Sequence, residues 1–172
     1  YHMNDKQKLY RQITAQFNAL FEDETNLLII LSNTASLLYH ELEDVSWAGF
    51  YLYDRKKDEL FLGPFQGKPA CMHIPNGKGV CGTCLHEKKA QCVKDVHQFP
   101  GHIACDSASN SEIVLPIMKD DQVFAVLDLD SVSFSRFDAD DEEGLSILCA
   151  LISDCITVKT DTSDCIGFMC GK

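Results

Sequence analysis

The chain has 172 residues, 45% hydrophobic and 24% charged, enough for one domain with a proper core and too few for two of ordinary size. Fifteen Lys and Arg against 26 Asp and Glu leave a net charge of −11, which argues against a nucleic-acid surface and favours cationic or neutral partners. No run approaches the roughly 18 to 20 apolar residues of a membrane span, and the charged stretch Asn4 to Tyr10 is unlike a secretory leader, so no membrane partner and a cytoplasmic address are expected.

Tyr1 and His2 ahead of Met3 read as a leftover of expression, which places the domain at residues 4–158 and a loose tail at 159–172. From Asp5 to Phe21, Leu9, Ile13, Phe17 and Leu20 fall three or four apart, predicting an amphipathic helix. Thr25 is the expected cap of a second helix with Leu27, Leu31, Leu38 and Leu42 on one side. Strand alternation begins at Ser46 to Tyr53. Ala48, Phe50 and Leu52 suit a helix-covered face and leave Trp47 and Tyr51 on the other. Asp54 to Asp58 is a charged turn, and Glu59 to Phe65 the returning strand. Gln66 to Lys78 is rich in Gly and Pro around a short strand expected at Cys71 to Ile74. A short helical stretch from Gly79 to Lys89, a short strand from Ala90 to Val93 and a long irregular loop from Lys94 to Asn110 follow; loops of that length inside a domain are usually functional.

Two strands, Glu112 to Met118 and Val123 to Asp130, flank the polar break Lys119 to Gln122 and predict a hairpin. Alternation puts Asp128 and Asp130 on one face with Phe124 and Val126, and Leu127 and Leu129 on the other. The far ends of a hairpin meet, so Glu112 is expected near both aspartates, with Cys105 a short loop away. Pro116 cannot donate to a ladder and demands a bulge or a free side. Asp138 caps a last helix with Leu145, Leu148, Cys149, Ile152 and Ile156 as its buried stripe. The whole order predicts an α+β domain with helices gathered on one sheet face.

Nine cysteines, an odd number, argue against a disulfide scaffold and for reactive, metal-binding or buried thiols. Cys81-Gly-Thr-Cys84, with Cys71, His73, Cys92, His102 and Cys105, matches no common zinc spacing, so no metal is expected. His97 and His102 read as loop hydrogen-bonders. Cys149 and Cys155 read as packing residues, and Cys84, Cys92, Cys165 and Cys170 receive no role. Carboxylates near Cys105 raise a thiol's pKa; a bound ammonium group reverses that effect, which makes a cationic small molecule the fitting partner.

The strings WAGFYL (Trp47 to Leu52), LGPFQGKPAC (Leu62 to Cys71), GKGVCGT (Gly77 to Thr83), GHIACD (Gly101 to Asp106), SEIVLP (Ser111 to Pro116) and LDLDS (Leu127 to Ser131) resemble the free methionine-(R)-sulfoxide reductases, single GAF domains. The resemblance runs from about Leu27 to Ile156. It implies a six-stranded antiparallel sheet with helices on one face and the active site on the other. It also implies Cys105 as nucleophile, Cys71 or Cys81 as resolving cysteine, Glu112, Asp128 and Asp130 as substrate-holding acids, Glu112 or an aspartate as proton donor, and Trp47 and Tyr51 as an aromatic wall. The expected substrate is free methionine-(R)-sulfoxide and the expected external reductant thioredoxin, or dithiothreitol in vitro, with no bound cofactor. A homodimer is compatible with the family. The alternative is a ligand-sensing GAF module that binds a small amino acid without turnover.

Overall fold

Helix boundaries follow from local capping. Asn4 accepts from the Gln7 N–H while the Gln7 side chain accepts from the Asn4 N–H, a capping box that starts α1 (Asp5–Leu20). The second cap is Asn26 rather than the expected Thr25: its side chain accepts from the N–H groups of Leu28 and Ile29 and opens α2 (Leu27–Glu41). Both residue types cap well, and position in the turn decides between them.

The computed structural model describes residues 2–159; beyond Lys159 the expected tail, with Cys165 and Cys170, lies outside the described residues. After the first two helices come β1 (Trp47–Asp54), β2 (Glu59–Gln66), β3 (His73–Pro75), α3 (Gly79–Glu87), β4 (Gln91–Val93), β5 (Ser111–Lys119), β6 (Gln122–Ser131) and α4 (Ala139–Lys159). The strands form one antiparallel sheet in the order β3-β2-β1-β6-β5-β4, ending at each edge in a three-residue strand. The short strand expected at Cys71 to Ile74 is shifted to His73–Pro75 because only His73, Ile74 and Pro75 pair with β2, leaving Cys71 in a loop.

Three helices cover one face. Ile13 and Phe17 of α1, Ile30, Leu31 and Leu38 of α2 and Leu145, Leu148 and Ile152 of α4 pack on Ala48, Phe50, Leu52, Ile113, Leu115, Leu127 and Leu129. The opposite face carries Trp47, Tyr51, Val114 and Val126, and against them packs the short α3 through Val80, Cys81, Cys84 and Leu85. Among the α-helices of the described residues, three thus share one face and α3 lies on the other.

In the β5–β6 hairpin, Asp120 and Asp121 both have positive φ (50° and 60°), the geometry of a tight two-residue turn. Pro116 pairs with Val126 on β6, and β4 reaches only to Val114, so the proline's other side is free of any ladder. The register slips one residue further on, at Ile117 and Met118. That bulge corrects the alternation expected for β6: Phe124 packs on the helix-side core and Val123 on the site side, whereas Asp128, beyond the slip, keeps its place beside Val126.

Helices α1 and α4 are tied by Asp141, fully buried, which accepts from the Tyr10 hydroxyl (2.7 Å), Lys6 Nζ (2.8 Å) and Arg136 Nη1 (3.3 Å). Asp138 caps α4 as expected, accepting from the N–H groups of Asp140 and Asp141. The close crossing depends on Gly144, where an added Cβ would overlap the Tyr10 ring. Gly144→Ala is therefore expected to destabilise the protein by about 1–3 kcal/mol through overpacking, read as a lower urea midpoint at unchanged m-value.

Candidate active site

Register places the acids. Across β5 and β6, Glu112 stands opposite Asp130 and Val114 opposite Asp128; on the other flank of β6, Trp47 stands opposite Asp130 and Gly49 opposite Asp128. Residues two apart on a strand share a face, so Glu112, Asp128, Asp130, Trp47 and Tyr51 all leave the sheet on the side away from the three long helices. They line one cavity that Cys81, at the start of α3, and Cys105, in the loop after Phe99, also border. Seven of the eight residues singled out from sequence thus meet around this cavity, and the eighth, Cys71, is disulfide-bonded to Cys105 with Cα atoms 5.4 Å apart.

The aromatic wall does more than line. Trp47 stacks between Tyr51 (centroids 5.8 Å) and Phe65 (5.2 Å), its indole N–H donates to the Lys68 carbonyl (3.1 Å), and the Tyr51 hydroxyl donates to the Cys71 carbonyl (3.0 Å). The loop that presents Cys71 therefore hangs from two ring substituents. It leaves β2 through Gly67 at φ +128°, a conformation side chains rarely adopt, and a Cβ there would also strike Trp47. Next to Cys71, Met72 is 72% exposed, while its carbonyl accepts from the Leu62 N–H.

The second loop is pinned at its far end. The Asn110 N–H donates to the Ser131 carbonyl, its side-chain amide donates to the Val132 carbonyl, and its side-chain oxygen meets His97 Nε2 at 2.8 Å. Between Phe99 and Asn110 the loop carries His102, Ile103, Cys105, Asp106 and Ser109 into the cavity lining.

The floor is buried and acidic. The Cys81 thiol lies 3.4 Å from Asp128 Oδ2 and 3.8 Å from Glu112 Oε1. Burial pushes Glu112 well above the ordinary carboxylate range, and the neighbouring Asp128 and Asp130 push it further. Burial raises Asp130 in the same way, with Asp128 adding to it. Asp128 is raised to about 6, again by burial. The Cys81 thiol is pushed far up by burial first and by the three acids after it. Two polar atoms in this lining, Asp128 Oδ1 and Ser109 Oγ, are buried with no hydrogen-bond partner. Such orphans are costly unless something occupies the cavity beside them.

His102, which the sequence reads as a loop hydrogen-bonder with no site role, lines the same cavity. Its Nε2 lies 4.0 Å from Glu112 Oε2, and burial, then His97, lowers its pKa. The available signal was its place three residues before Cys105. Cys84, Cys149 and Cys155 are buried away from the cavity, and Cys92 is exposed with its sulfur against the Phe137 carbonyl. The CxxC pair and its histidines do not converge. Among the described residues, the group able to place three metal-ligand atoms within 4.8 Å of one another is Cys81, Glu112 and Asp128.

Comparison with known proteins bears on the family and the fold. A family model described as GAF domain matches residues 24–157. The free methionine-R-sulfoxide reductase of Escherichia coli K12 is 53% identical over 146 residues, covering 85% of this chain and 87% of that protein. The protein of the same name from Saccharomyces cerevisiae is 40% identical over 161 residues, covering 90% and 89%. Among solved structures, free methionine-R-sulfoxide reductase from Neisseria meningitidis, in complex with its substrate, superposes with a TM-score of 0.86 at 40% identity over 91% of this chain and 93% of that one. A GAF domain by sequence and by fold, and 40–53% identical to these enzymes along most of its length, the chain belongs to the free methionine-R-sulfoxide reductase family.

Proposed function

We propose that this protein reduces free L-methionine-(R)-S-oxide to methionine, with Cys105 as nucleophile and Cys71 as resolving cysteine. The observation that carries the reading is the Cys71–Cys105 disulfide on the border of a cavity floored by the buried Glu112 and Asp128 and the half-buried Asp130. In this disulfide form the cavity is about 40 Å³, room for water but not for an amino acid the size of methionine. Substrate therefore enters after the disulfide is reduced.

A free amino acid offers an ammonium group that a peptide-bound methionine lacks. A bound ammonium offsets the burial that otherwise keeps protons on these carboxyls, so an acid such as Asp128 ionises against it and selects it by charge, and the unpartnered Asp128 Oδ1 is a ready acceptor. Lys68 and Lys78, exposed in the cavity lining, set positive charge where the substrate carboxylate emerges. Trp47 and Tyr51 take the S-methyl end by apolar and sulfur–ring contact.

The Cys105 sulfur attacks the sulfoxide sulfur, the S–O bond breaks, and the oxygen passes to Cys105 as a sulfenic acid while methionine leaves. A proton on the departing oxygen is required, and Glu112, held protonated by burial and by its acidic neighbours, is the fitting donor. Cys71 then condenses with the sulfenic acid, releasing water and forming the disulfide. A dithiol such as thioredoxin returns both thiols by exchange and leaves as its own disulfide. Cys81 suits the resolving role less, because its thiol is buried and turned to Asp128.

With dithiothreitol, methionine is expected from the free R epimer and none from the S epimer or from oxidised methionine within a peptide. No methionine from the R epimer would leave the ligand-sensing reading in its place. Cys105→Ser is expected to abolish turnover, and Asp130→Asn to raise KM roughly ten- to a hundredfold, the worth of one charge-assisted hydrogen bond, with a Tm no lower than that of the native protein; kinetics matching the native protein in both would place the chemistry elsewhere.

The acids also predict a pH dependence of stability. The Asp128 carboxyl titrates near 6 in the folded protein against an ordinary 3.8, so the folded state holds a proton that the unfolded state gives up in that window. Stability from this group is fullest below 3.8 and falls as pH rises through 6; Glu112 and Asp130, raised by the same cause, act in the same direction. Asp128→Asn is expected to flatten the decline, so that Tm of the variant gains on the native protein between about pH 4 and 7.

A further inference from the structure

The floor of the cavity holds donor atoms of a kind that ammonium recognition does not require. An amino group needs acceptors, which the carboxylates supply; a thiol between them adds a soft ligand. We propose that Cys81, Glu112 and Asp128 form a binding site for a thiophilic divalent cation of the zinc class.

Three observations support the assignment. A tetrahedral zinc with Zn–S of about 2.3 Å and Zn–O of about 2.0 Å keeps sulfur and oxygen about 3.5 Å apart. Cys81 Sγ, donating to both acids, lies 3.4 Å from Asp128 Oδ2 and 3.8 Å from Glu112 Oε1, so the two sulfur–oxygen edges are already near those of a coordination shell, and all three ligand atoms lie within 4.8 Å of one another. The ligands are held on rigid elements, Glu112 on β5, Asp128 on β6 and Cys81 in the first turn of α3. Independently, Asp128 and Ser109 are each 5% exposed, and each keeps a buried oxygen without a partner in the lining of this same cavity. Those orphans leave bonding capacity for an occupant of the cavity, and in the disulfide form, where the cavity is about 40 Å³, an ion with one or two waters fits where methionine does not.

Three protein ligands leave a fourth position open toward the cavity. On binding, the Cys81 thiol gives its proton to solvent and the sulfur binds as thiolate, the carboxyls likewise bind deprotonated, and no electron moves. The dication replaces protons as the neutraliser of a buried acidic cluster. The site stands on donor atoms and distances alone and does not rest on the reductase reading. If that reading also holds, the cation and the substrate ammonium exclude one another at Asp128, and zinc inhibits competitively.

The test uses the full chain with Cys92, Cys165 and Cys170 replaced by serine and the Cys71–Cys105 disulfide kept, dialysed against Zn²⁺, Co²⁺ or Mg²⁺ at pH 7. A single zinc per chain is expected, with no magnesium at the same concentration, and cobalt is expected to show a thiolate-to-metal charge-transfer band in the near ultraviolet. Cys81→Ser and Asp128→Asn in that background are each expected to weaken zinc by about 100-fold or more, the upper end of what losing an outer-shell partner alone costs. No saturable zinc, or zinc affinity unmoved by both substitutions, overturns the site. If either variant fails to fold, the cobalt spectrum of the background protein decides, since a spectrum without the thiolate band excludes Cys81 as a ligand.

Discussion

The burial of Glu112, Asp128 and the Cys81 thiol on one face of the sheet, with the half-buried Asp130 beside them, is the constraint to which the surrounding structure answers. Like charges this close cannot all ionise away from water, so protons stay on groups that would ordinarily lose them. A folded protein accepts that cost only where the neighbouring packing holds the groups in place. Here the holding comes from strand register on β5 and β6, from Trp47 and Tyr51 on β1, and from α3, which closes the cavity from the far side. The three long helices contribute rigidity from behind without touching the site.

That division of labour explains why the two faces read so differently. The helix side is a continuous apolar core, fixed by shape and by the buried Asp141 tie between α1 and α4. The site side is half apolar and half acidic, and its loops rather than its strands complete it. The loop carrying Cys71 is suspended from ring hydrogen bonds, and the loop carrying Cys105 is fastened by Asn110 to the end of β6. Two cysteines 34 positions apart in sequence are brought together by elements that are themselves anchored to the acidic strands.

Much of this was legible beforehand for physical reasons. Alternation along Trp47 to Tyr53 and along β6 sorted helix-facing from site-facing residues, because side-chain direction in a strand has period two. Asp128 and Asp130 were placed together by that rule alone, and Glu112 by the meeting ends of a hairpin. The rule broke at Phe124, where one bulged residue shifts the pattern without leaving a mark in composition. Asn26 displaced Thr25 as a cap because neighbouring cap formers compete and tertiary position settles the outcome. The depth of Cys81 was not legible, since it depends on a nine-residue helix folding onto the sheet rather than away from it. His102 reads in the sequence only as a loop hydrogen-bonder because a lone loop histidine has no periodicity to betray which way it faces.

Met72 sits beside the Cys71–Cys105 disulfide, nearly three-quarters exposed, with its nitrogen locked in a peptide bond. On the reading proposed above, an enzyme that restores loose methionine wears at its own doorstep a methionine it has no means of restoring, because no amino group is free to be recognised. Its exposure leaves that thioether open to oxidation to the sulfoxide.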